Sequence, residues 1–330
     1  MNKGILFAMA MVLLASCSSR RTLGEVDEFS WEDFQEEVSL KGRTLTFDDD
    51  VMMPFGVQVY DSVLVTLEPT NYKVSQLFNL NTGAKMGGRV NLGEGPNEMM
   101  MPMFVSNGNG IQFVDLVSAT VYAYDSKKFL AEENVEPMKK VKLSESVDGE
   151  MQVLGDNYIG YQYFKEDVLY LFDKQGQKIR SFAGFPDGVK SEPNEQRSDM
   201  YQMGYVSNGK DRVAITYYMT DIIEVIDAEG NVLRHLQGPE KFSYEAGKDA
   251  FFSPKNAGDS FFVLYNGRNR NEENHNSSCN KLLSFSWDGT PERVYTLDDP
   301  IFTYCVDVQK RKVYGVSTTP EYHIVEYSLP

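Results

Sequence analysis

Histidine, cysteine and tryptophan are scarce in this chain, with three, three and two copies among 330 residues. The histidines are His235, His275 and His323, and no two of them have the spacing of a zinc or copper site. A Gly-x-Ser-x-Gly motif, the turn that carries the nucleophile of many serine hydrolases, does not occur. Carboxylates are numerous but scattered, so no acid–base pair can be selected from them. We therefore predict no catalytic residue, no metal site and no cofactor.

Positive charge and long apolar runs are also in short supply. Lysine and arginine number 32 against 48 aspartates and glutamates, which gives a formal net charge of -16. Nucleic acid is a polyanion, so this charge argues against a nucleic-acid partner. The apolar run near the N-terminus, Ile5–Leu14, is too short to cross a bilayer as a helix.

That short run has the features of a cleaved targeting signal. Lys3 provides a positive start, and the run ends in Leu14-Ala15-Ser16-Cys17, which resembles the bacterial lipobox. We predict that residues 1–16 are a signal peptide and that the thiol of Cys17 is lipidated, so that acyl chains tether the mature protein. A plain secretory signal with a chance cysteine is the alternative.

Residues 17–37 are predicted to be a lipid-anchored linker that ends in a short helix capped by Ser30. Ser18 to Arg21 carry none of the acidic residues that follow the cysteine in surface-exposed lipoproteins of some gut bacteria. This favours an outer-membrane lipoprotein that faces the periplasm over one at the cell surface.

The rest of the chain is dominated by a repeated hairpin. Val168–Phe182 and Ile222–Leu236 each read as an apolar strand, a turn with Asp and Gly, and a second strand. We interpret Asp173 and Asp227 as turn residues whose side chains bond the backbone of the hairpin. The other copies of the hairpin core are Gln76–Gly83, Val121–Lys128, Leu282–Gly289 and His323–Pro330.

Each copy follows a β-rich run and a shorter run, so the unit has four strands and occurs six times. The last unit lacks its outermost strand, because the chain ends after the third. Thr44–Phe47 is an unassigned strand that can fill that place beside Val325. We predict an all-β fold, a six-bladed β-propeller over residues 38–330 whose last blade is closed by an N-terminal strand. A β-sandwich or an irregular all-β fold is the alternative.

One short segment carries a resemblance to a known family. Asn91–Met99 reads Asn-Leu-Gly-Glu-Gly-Pro-Asn-Glu-Met and follows the outer strand of the first unit. Together with the lipobox and the six units, it resembles the TolB-like six-bladed β-propeller lipoproteins of Bacteroidetes. Many of those carry Leu-Gly-x-Gly-Pro-Gly-Glu-aromatic here; Asn97 stands in place of the last glycine and Met99 in place of the aromatic. The resemblance implies the fold and a cell-envelope location rather than an activity.

Candidate binding residues lie in loops that a propeller brings to one face. The longest irregular segments of this kind are Gly93–Glu98, Gly184–Met200, Gly238–Glu240 and Asn266–Asn280. The binding residues that we select from them are Glu94, Asn97, Glu98, Arg268, Arg270 and His275. A rigid turn for the first loop and a mobile surface for the last are the structural alternatives.

These features predict a monomeric, lipid-anchored binding or scaffold propeller that recognises an envelope protein or an extended polar ligand. A propeller lyase or hydrolase acting on glycan or peptide, and a purely structural envelope protein, are the alternatives. Carboxylates with a histidine in the channel would favour the enzyme, whereas an apolar channel with a polar rim would favour binding. Cys279 and Cys305 could pair or remain buried thiols.

Overall fold

The chain folds as a ring of six blades, each with four antiparallel strands, and a parallel pairing between their inner strands joins the second and third blades into one eight-stranded sheet. This computed structural model describes residues 26–108, 110–163, 165, 168–182, 203–241, 246–272 and 278–330. The predicted signal peptide, the predicted lipidation site Cys17 and the predicted loop at 184–200 lie outside the described residues.

The described part of the chain begins with three short strands and one turn of helix. These are β1 (Asp27–Glu28), a 3-10 helix (Trp31–Asp33), β2 (Glu36–Leu40) and β3 (Arg43–Leu45).

Blades 1 to 3 follow in chain order. Blade 1 contains β4 (Gly56–Tyr60), β5 (Val63–Thr70), β6 (Lys73–Asn79) and β7 (Lys85–Asn91). Blade 2 contains β8 (Pro102–Ser106), β9 (Ile111–Asp115), β10 (Thr120–Tyr124) and β11 (Lys139–Lys142), with helix α1 (Ser126–Ala131) between the last two. Blade 3 contains β12 (Met151–Leu154), β13 (Asn157–Tyr161), β14 (Leu169–Phe172) and β15 (Lys178–Phe182).

Blades 4 to 6 complete the ring. Blade 4 contains β16 (Met203–Ser207), β17 (Arg212–Tyr217), β18 (Ile222–Asp227) and β19 (Val232–Gln237). Blade 5 contains β20 (Phe251–Asn256), β21 (Ser260–Tyr265), β22 (Cys279–Ser286) and β23 (Pro291–Ile301). Blade 6 contributes β24 (Thr303–Asp307), β25 (Lys312–Ser317) and β26 (His323–Ser328).

The N-terminal strand closes the last blade as predicted. β3 pairs antiparallel with β26, and Thr44 lies opposite Val325. The pairing removes an open sheet edge at the point where the first and last blades meet. Leu45 then packs in one apolar cluster with Val57 and Leu64 of blade 1 and with Val316 of blade 6.

The residues before β3 bind two further blades, which the sequence did not predict. β1 pairs parallel with β19, and β2 pairs parallel with β23, so each adds a fifth strand outside a complete blade. Within the described part of the chain, strands that pair with the blades therefore begin at Asp27, ahead of the predicted domain start at residue 38. The expected helix is reduced to Trp31–Asp33, because Glu36–Leu40 forms a continuous ladder with blade 5 instead.

The repeated hairpin turns are built as the sequence predicted. Asp173 Oδ1 accepts the N–H groups of Gln175 and Gln177, both at 2.9 Å. Asp227 Oδ1 accepts the N–H groups of Glu229 at 3.0 Å and Asn231 at 2.8 Å. These carboxylates stabilise turns and are not free for chemistry.

The two remaining cysteines, Cys279 and Cys305, are buried and are not joined in a disulfide. Burial raises the pKa of each thiol to about 12. Among the helices of the described ranges, none is both long and apolar enough to cross a bilayer.

Candidate functional site: the mouth of the central channel

The inner strands β4, β8, β12, β16, β20 and β24 all begin on the same face of the ring, which we call the mouth face. The connections that lead into each blade, and those between its second and third strands, lie there. A cavity of about 410 Å³ lies at the centre of this face and receives residues from all six blades. Its lining includes Phe55, Met103, Glu150, Tyr161, Met203, Tyr205, Pro254, Lys255, Phe302 and Thr303.

An ion pair lies at this mouth. Lys255 Nζ is 2.8 Å from Glu150 Oε2, and the two side chains are 17% and 30% exposed. A bulge in β20 between Phe252 and Lys255, with Ser253 at a φ of +48°, sets the direction of Lys255. Gly204 allows Pro254 to pack closely, because a Cβ there would lie 2.6 Å from Pro254 Cδ.

Aromatic hydroxyl groups line the mouth beside the ion pair. Tyr205 donates to the backbone oxygens of Glu150 at 2.6 Å and Ile159 at 3.1 Å. Tyr161 donates to the hydroxyl of Tyr163 at 3.2 Å. Burial raises the pKa of Tyr161 and of Tyr205. Both phenols therefore stay protonated at neutral pH, where they act as hydrogen-bond donors rather than as bases.

The other end of the channel is a cluster of amide side chains around a smaller cavity of about 160 Å³. Asn107 donates to Gln152 Oε1 at 3.1 Å, and Asn256 donates to Asn107 Oδ1 at 3.1 Å. Gln152 also accepts the N–H of Ser207 at 2.6 Å. These contacts join blades 2, 3, 4 and 5, so the cluster stabilises the narrow end of the channel.

The Gly-Pro loop forms a tight turn around Glu98. Glu98 Oε2 accepts the N–H of Gly95 at 2.9 Å, and the backbone N–H of Glu98 donates to Gly95 O at 3.1 Å. A Cβ on Gly93 would lie 2.1 Å from Glu98 Oε2, so a side chain at this position would displace the carboxylate from its present place. Asn97 contacts Glu136, and Glu94 is exposed. One oxygen of the Glu98 carboxylate therefore holds the turn together, and its predicted contact with a ligand stays a prediction.

The predicted basic loop of blade 5 is also engaged within the fold. Arg270 Nε lies 3.0 Å from Oδ1 of the buried Asp249, which also accepts the hydroxyl of Tyr218 on Oδ2 at 3.0 Å. The backbone oxygen of Arg268 accepts the N–H of Asp249 at 3.0 Å. His275 lies outside the described residues. The structure does not bring Arg268 and Arg270 together with Glu94, Asn97 and Glu98 into one cluster.

Buried carboxylates that hold the connections of the mouth face were missed by sequence reasoning. Glu68 and Asp115 each accept two consecutive backbone N–H groups from the connection that enters their own blade. Asp221 likewise accepts the N–H groups of Glu240 at 2.8 Å and Lys241 at 2.7 Å. An acidic residue at the end of the second strand, as in Phe113-Val114-Asp115, is the signal that could have identified them.

The pKa values of two of these carboxylates, Asp115 and Asp221, are shifted in opposite directions. Burial raises the pKa of Asp115, but hydrogen bonds from Ser118 and from the backbone of Met100 and Met101 outweigh it, so the pKa is lowered. For Asp221, burial dominates the hydrogen bonds and raises the pKa to about 6.

The described histidines lie within single blades or at a blade boundary, away from the mouth lining. His235 Nδ1 contacts the buried Glu224 at 3.2 Å inside blade 4. His323 Nε2 lies 2.6 Å from Asp299 Oδ2, whose other oxygen accepts the hydroxyl of Ser317 at 2.7 Å. Burial lowers the pKa of His323, but the bond to Asp299 outweighs it and the pKa is raised. Ser317 and His323 thus both bond to Asp299. In a nucleophilic triad the serine bonds to the histidine and the histidine to the carboxylate, so these three residues do not form one.

The mouth shows neither the carboxylates with a histidine that would favour an enzyme nor the apolar channel that would favour a binding protein. Its lining has two carboxylates and, among the residues that the structure describes, no histidine. Glu150 is paired with Lys255, and Asp148 Oδ2 accepts the backbone N–H of Tyr163 at 2.6 Å. In the same described ranges, no group of three His, Cys, Asp or Glu side chains could hold a metal ion. The lining is not apolar either, since aromatic rings alternate with Lys255, Glu150 and backbone groups. Such a mixed, concave surface fits recognition of a ligand.

Six four-stranded blades around a channel with one open mouth define a six-bladed β-propeller. The chain belongs to the TolB-like 6-blade propeller-like family, whose model matches residues 32–309.

Solved structures with the same fold include two from Bacteroides. A member of the DUF4221 family from Bacteroides vulgatus ATCC 8482 has a TM-score of 0.60 and 9% identity, over 88% of this chain and 97% of that chain. A protein from Bacteroides fragilis NCTC 9343 that is described as exported has a TM-score of 0.53 and 12% identity, over 88% of this chain and 98% of that chain. At these identities the likeness concerns the fold alone. Comparison with curated protein sequences found no match.

Proposed function

We propose that this chain is a lipid-anchored binding module of the cell envelope that recognises an envelope protein or an extended polar ligand at the mouth face. The observation that carries the proposal is the cavity of about 410 Å³ to which all six blades contribute. A ligand seated there would contact aromatic rings, an ion pair and backbone groups at once. Concave sites with a few convergent polar groups are the usual form of a binding site.

The geometry of the mouth favours recognition over catalysis. Lys255 and Glu150 neutralise each other, and the phenols of Tyr161 and Tyr205 remain protonated. Asp148, the other carboxylate of the lining, accepts the backbone N–H of Tyr163. A general acid or base needs a partner group placed to exchange a proton with substrate, and no histidine lies beside these residues among the described lining residues. The carboxylates that clamp the connections keep the rim in one shape, which lowers the entropic cost of binding.

The proposed location rests on the sequence before the propeller. Lys3, the apolar run Ile5–Leu14 and Leu14-Ala15-Ser16-Cys17 together support export and lipidation at Cys17. The Bacteroides fragilis neighbour, which is described as exported, supports the same compartment. We propose that the protein is held at the outer membrane, faces the periplasm and acts as a monomer.

Photo-crosslinking in intact cells tests recognition at the mouth. The full chain carries benzoylphenylalanine in place of Phe302, which lines the mouth, or in place of the exposed Val308 on the opposite face. We expect a defined adduct from position 302 and none from position 308. No adduct at position 302, or equal adducts at both positions, would contradict the proposal.

A separate test addresses the anchor. Cys17→Ala should move the protein from the membrane pellet to the soluble fraction and abolish incorporation of an alkyne-labelled fatty acid. If the variant still pellets with membranes after a high-salt wash, the lipid anchor is wrong, whereas the result at position 302 stands independently.

A further inference from the structure

Four methionines occupy equivalent exposed positions on neighbouring blades of the mouth face. Met52 and Met53 lie in the connection that enters blade 1, and Met100 and Met101 lie in the connection that enters blade 2. Their side chains are 58%, 63%, 43% and 52% exposed. Apolar side chains on a surface cost solubility when they are clustered, so a concentrated set of them marks an interaction site.

Two aromatic residues extend this apolar area. Phe55 is 40% exposed and lines the mouth cavity, and Tyr72 is 85% exposed in the turn between β5 and β6. The backbone oxygen of Tyr72 accepts the N–H of Leu92 at 2.8 Å, which fixes this turn beside the Gly-Pro loop. We call these six residues, Met52, Met53, Phe55, Tyr72, Met100 and Met101, the methionine surface.

The backbone beneath both methionine pairs is clamped by a buried carboxylate. Glu68 Oε2 accepts the N–H groups of Met52 at 2.8 Å and Met53 at 3.3 Å. Asp115 Oδ1 does the same for Met100 at 3.0 Å and Met101 at 2.8 Å. The chain therefore holds four flexible side chains on a fixed backbone, which confines the entropic cost of binding to the side chains.

The Gly-Pro loop positions the second pair, Met100 and Met101. Glu98 closes the turn onto the N–H of Gly95, and the next residue, Met99, is fully buried between blades 1 and 2. Met99 anchors the end of the loop in the core, and Met100 and Met101 emerge directly after it. The loop that sequence reasoning treated as a candidate contact thus positions the two residues that follow it.

We propose that the methionine surface docks a polypeptide segment that carries apolar anchor side chains with lysine or arginine beside them. This inference rests on the proposed function and names the class of its partner. Methionine side chains are unbranched and polarizable, so they adapt to apolar side chains of different shapes. Asp50, Glu94 and Glu136 are exposed. Asp50 precedes Met52 by two residues, Glu94 belongs to the Gly-Pro loop before Met100, and Glu136 contacts Asn97 of that loop, which favours cationic residues in the partner.

Charge argues against the other occupants. A second copy of the chain would bring another formal charge of -16 to the contact, and an anionic lipid surface would be repelled in the same way. A glycan has few apolar groups to place against four thioethers. A cationic, apolar peptide complements both the side chains and the charge.

Selection from a displayed random peptide library tests this partner class. The full chain in detergent micelles is the bait, and two variants are compared with it: M52A/M53A/M100A/M101A and, as a matched control on the opposite face, Val308→Ala. We expect enriched peptides that combine Leu, Phe or Trp with Lys or Arg. The fourfold variant should weaken their binding by at least about tenfold, and the control should leave it unchanged. All the substituted side chains are exposed, so thermal melts should show intact folding.

Four outcomes would overturn the inference. The first is no enriched peptide, and the second is binding that survives in the fourfold variant. The third is a wild-type dimer that the fourfold variant dissociates, measured by analytical ultracentrifugation. The fourth is methionine-dependent binding to phosphatidylglycerol vesicles. If Lys255→Ala abolishes peptide binding and the fourfold variant does not, recognition at the mouth stands and the methionine surface is not its site. The crosslinking result at position 302 tests the proposed function independently of the methionine surface.

Discussion

Lys255 of blade 5 and Glu150 before the first strand of blade 3 form an ion pair at the channel mouth, with 2.8 Å between Nζ and Oε2. Blade 4 lies between these two blades in the ring. The hydroxyl of its Tyr205 donates a hydrogen bond to the backbone oxygen of Glu150. The pair therefore ties three consecutive blades together at the point where a ligand would enter. Both side chains are partly shielded from solvent, which makes the pair stronger than an ordinary surface salt bridge.

The first prediction concerns the energy of this pair. Lys255→Met and Glu150→Gln should each lower the free energy of unfolding, and the double variant should be more stable than the sum of the two losses implies. We expect a coupling energy of about 1 kcal/mol, from urea unfolding of all four proteins. Losses that add within about 0.3 kcal/mol would show that the two side chains do not interact.

The second prediction concerns the closure of the ring. A Cβ on Gly42 would lie 2.4 Å from Val325 Cγ2 and 3.0 Å from the ring of Tyr327. Gly42→Val should therefore displace β3 from β26 and lower the free energy of unfolding by about 2 to 4 kcal/mol. Substitution of the neighbouring exposed residue, Lys41→Ala, is the control and should change the urea midpoint little. An unchanged midpoint for the valine variant would mean that the strand does not close the ring.

The third prediction is a stability change with pH that Asp221 causes. Its pKa in the folded chain is raised to about 6 by burial, above the ordinary value of 3.8. Between these values the folded state binds more protons than the unfolded state, so this contribution to stability is complete below about pH 4 and is lost as the pH rises through 6. Asp221→Asn should remove this decline. The measurement is the urea midpoint of both proteins from pH 4 to pH 7, and parallel curves would contradict the raised pKa.

Glu326 should act in the opposite direction at lower pH. Burial raises the pKa of this carboxyl, but hydrogen bonds from Lys312 and Arg43 outweigh it, so the pKa is lowered. Its contribution is present above the ordinary pKa of 4.5 and is lost as the pH falls through the folded value. Glu326→Gln should therefore flatten the acid end of the stability curve and leave the Asp221 decline in place. A steeper acid limb in this variant would reverse the sign that we assign.

The fourth prediction concerns the buried thiols. Burial raises the pKa of Cys279 and Cys305 to about 12, so neither forms a thiolate at neutral pH. N-ethylmaleimide should add nothing to either residue in the folded protein and should label both in denaturant, as intact mass and peptide mapping would show. A native adduct at either residue, or a denatured protein that needs a reductant before it reacts, would contradict free and buried thiols.

The number of blades and the partner of the closing strand could be predicted because both follow from the repeated hairpin in the sequence. Every hairpin repeats an apolar run, three of the six add an Asp and a Gly, and the side chains of Asp173 and Asp227 bond the nearest backbone. The strand around Thr44 was the unpaired strand left over when six units were counted, so the need to cover an open edge assigned it to β26.

The strands that the N-terminal segment adds to blades 4 and 5 could not be predicted. Asp27–Glu28 is too short and too polar to signal a strand, and Glu36–Leu40 begins with two glutamates. Both become strands only because the outer edges of β19 and β23 offer unpaired backbone groups. Phe29 and Phe34 between them are buried against blades 4 and 5, which holds the segment in place.

Periodicity and turn chemistry act over a few residues, so the repeat, the count of six blades and the strand that closes the ring follow from the amino-acid order alone. The tertiary structure alone decided which side chains are available for recognition. Glu98 was expected to contact a ligand, yet its carboxylate is used within its own turn, and Arg270 is used by Asp249. The clamps beneath Met52 and Met100 form within single blades, whereas the pairing of Lys255 with Glu150 depends on ring geometry. Residues far apart in the chain meet there only after the blades have closed.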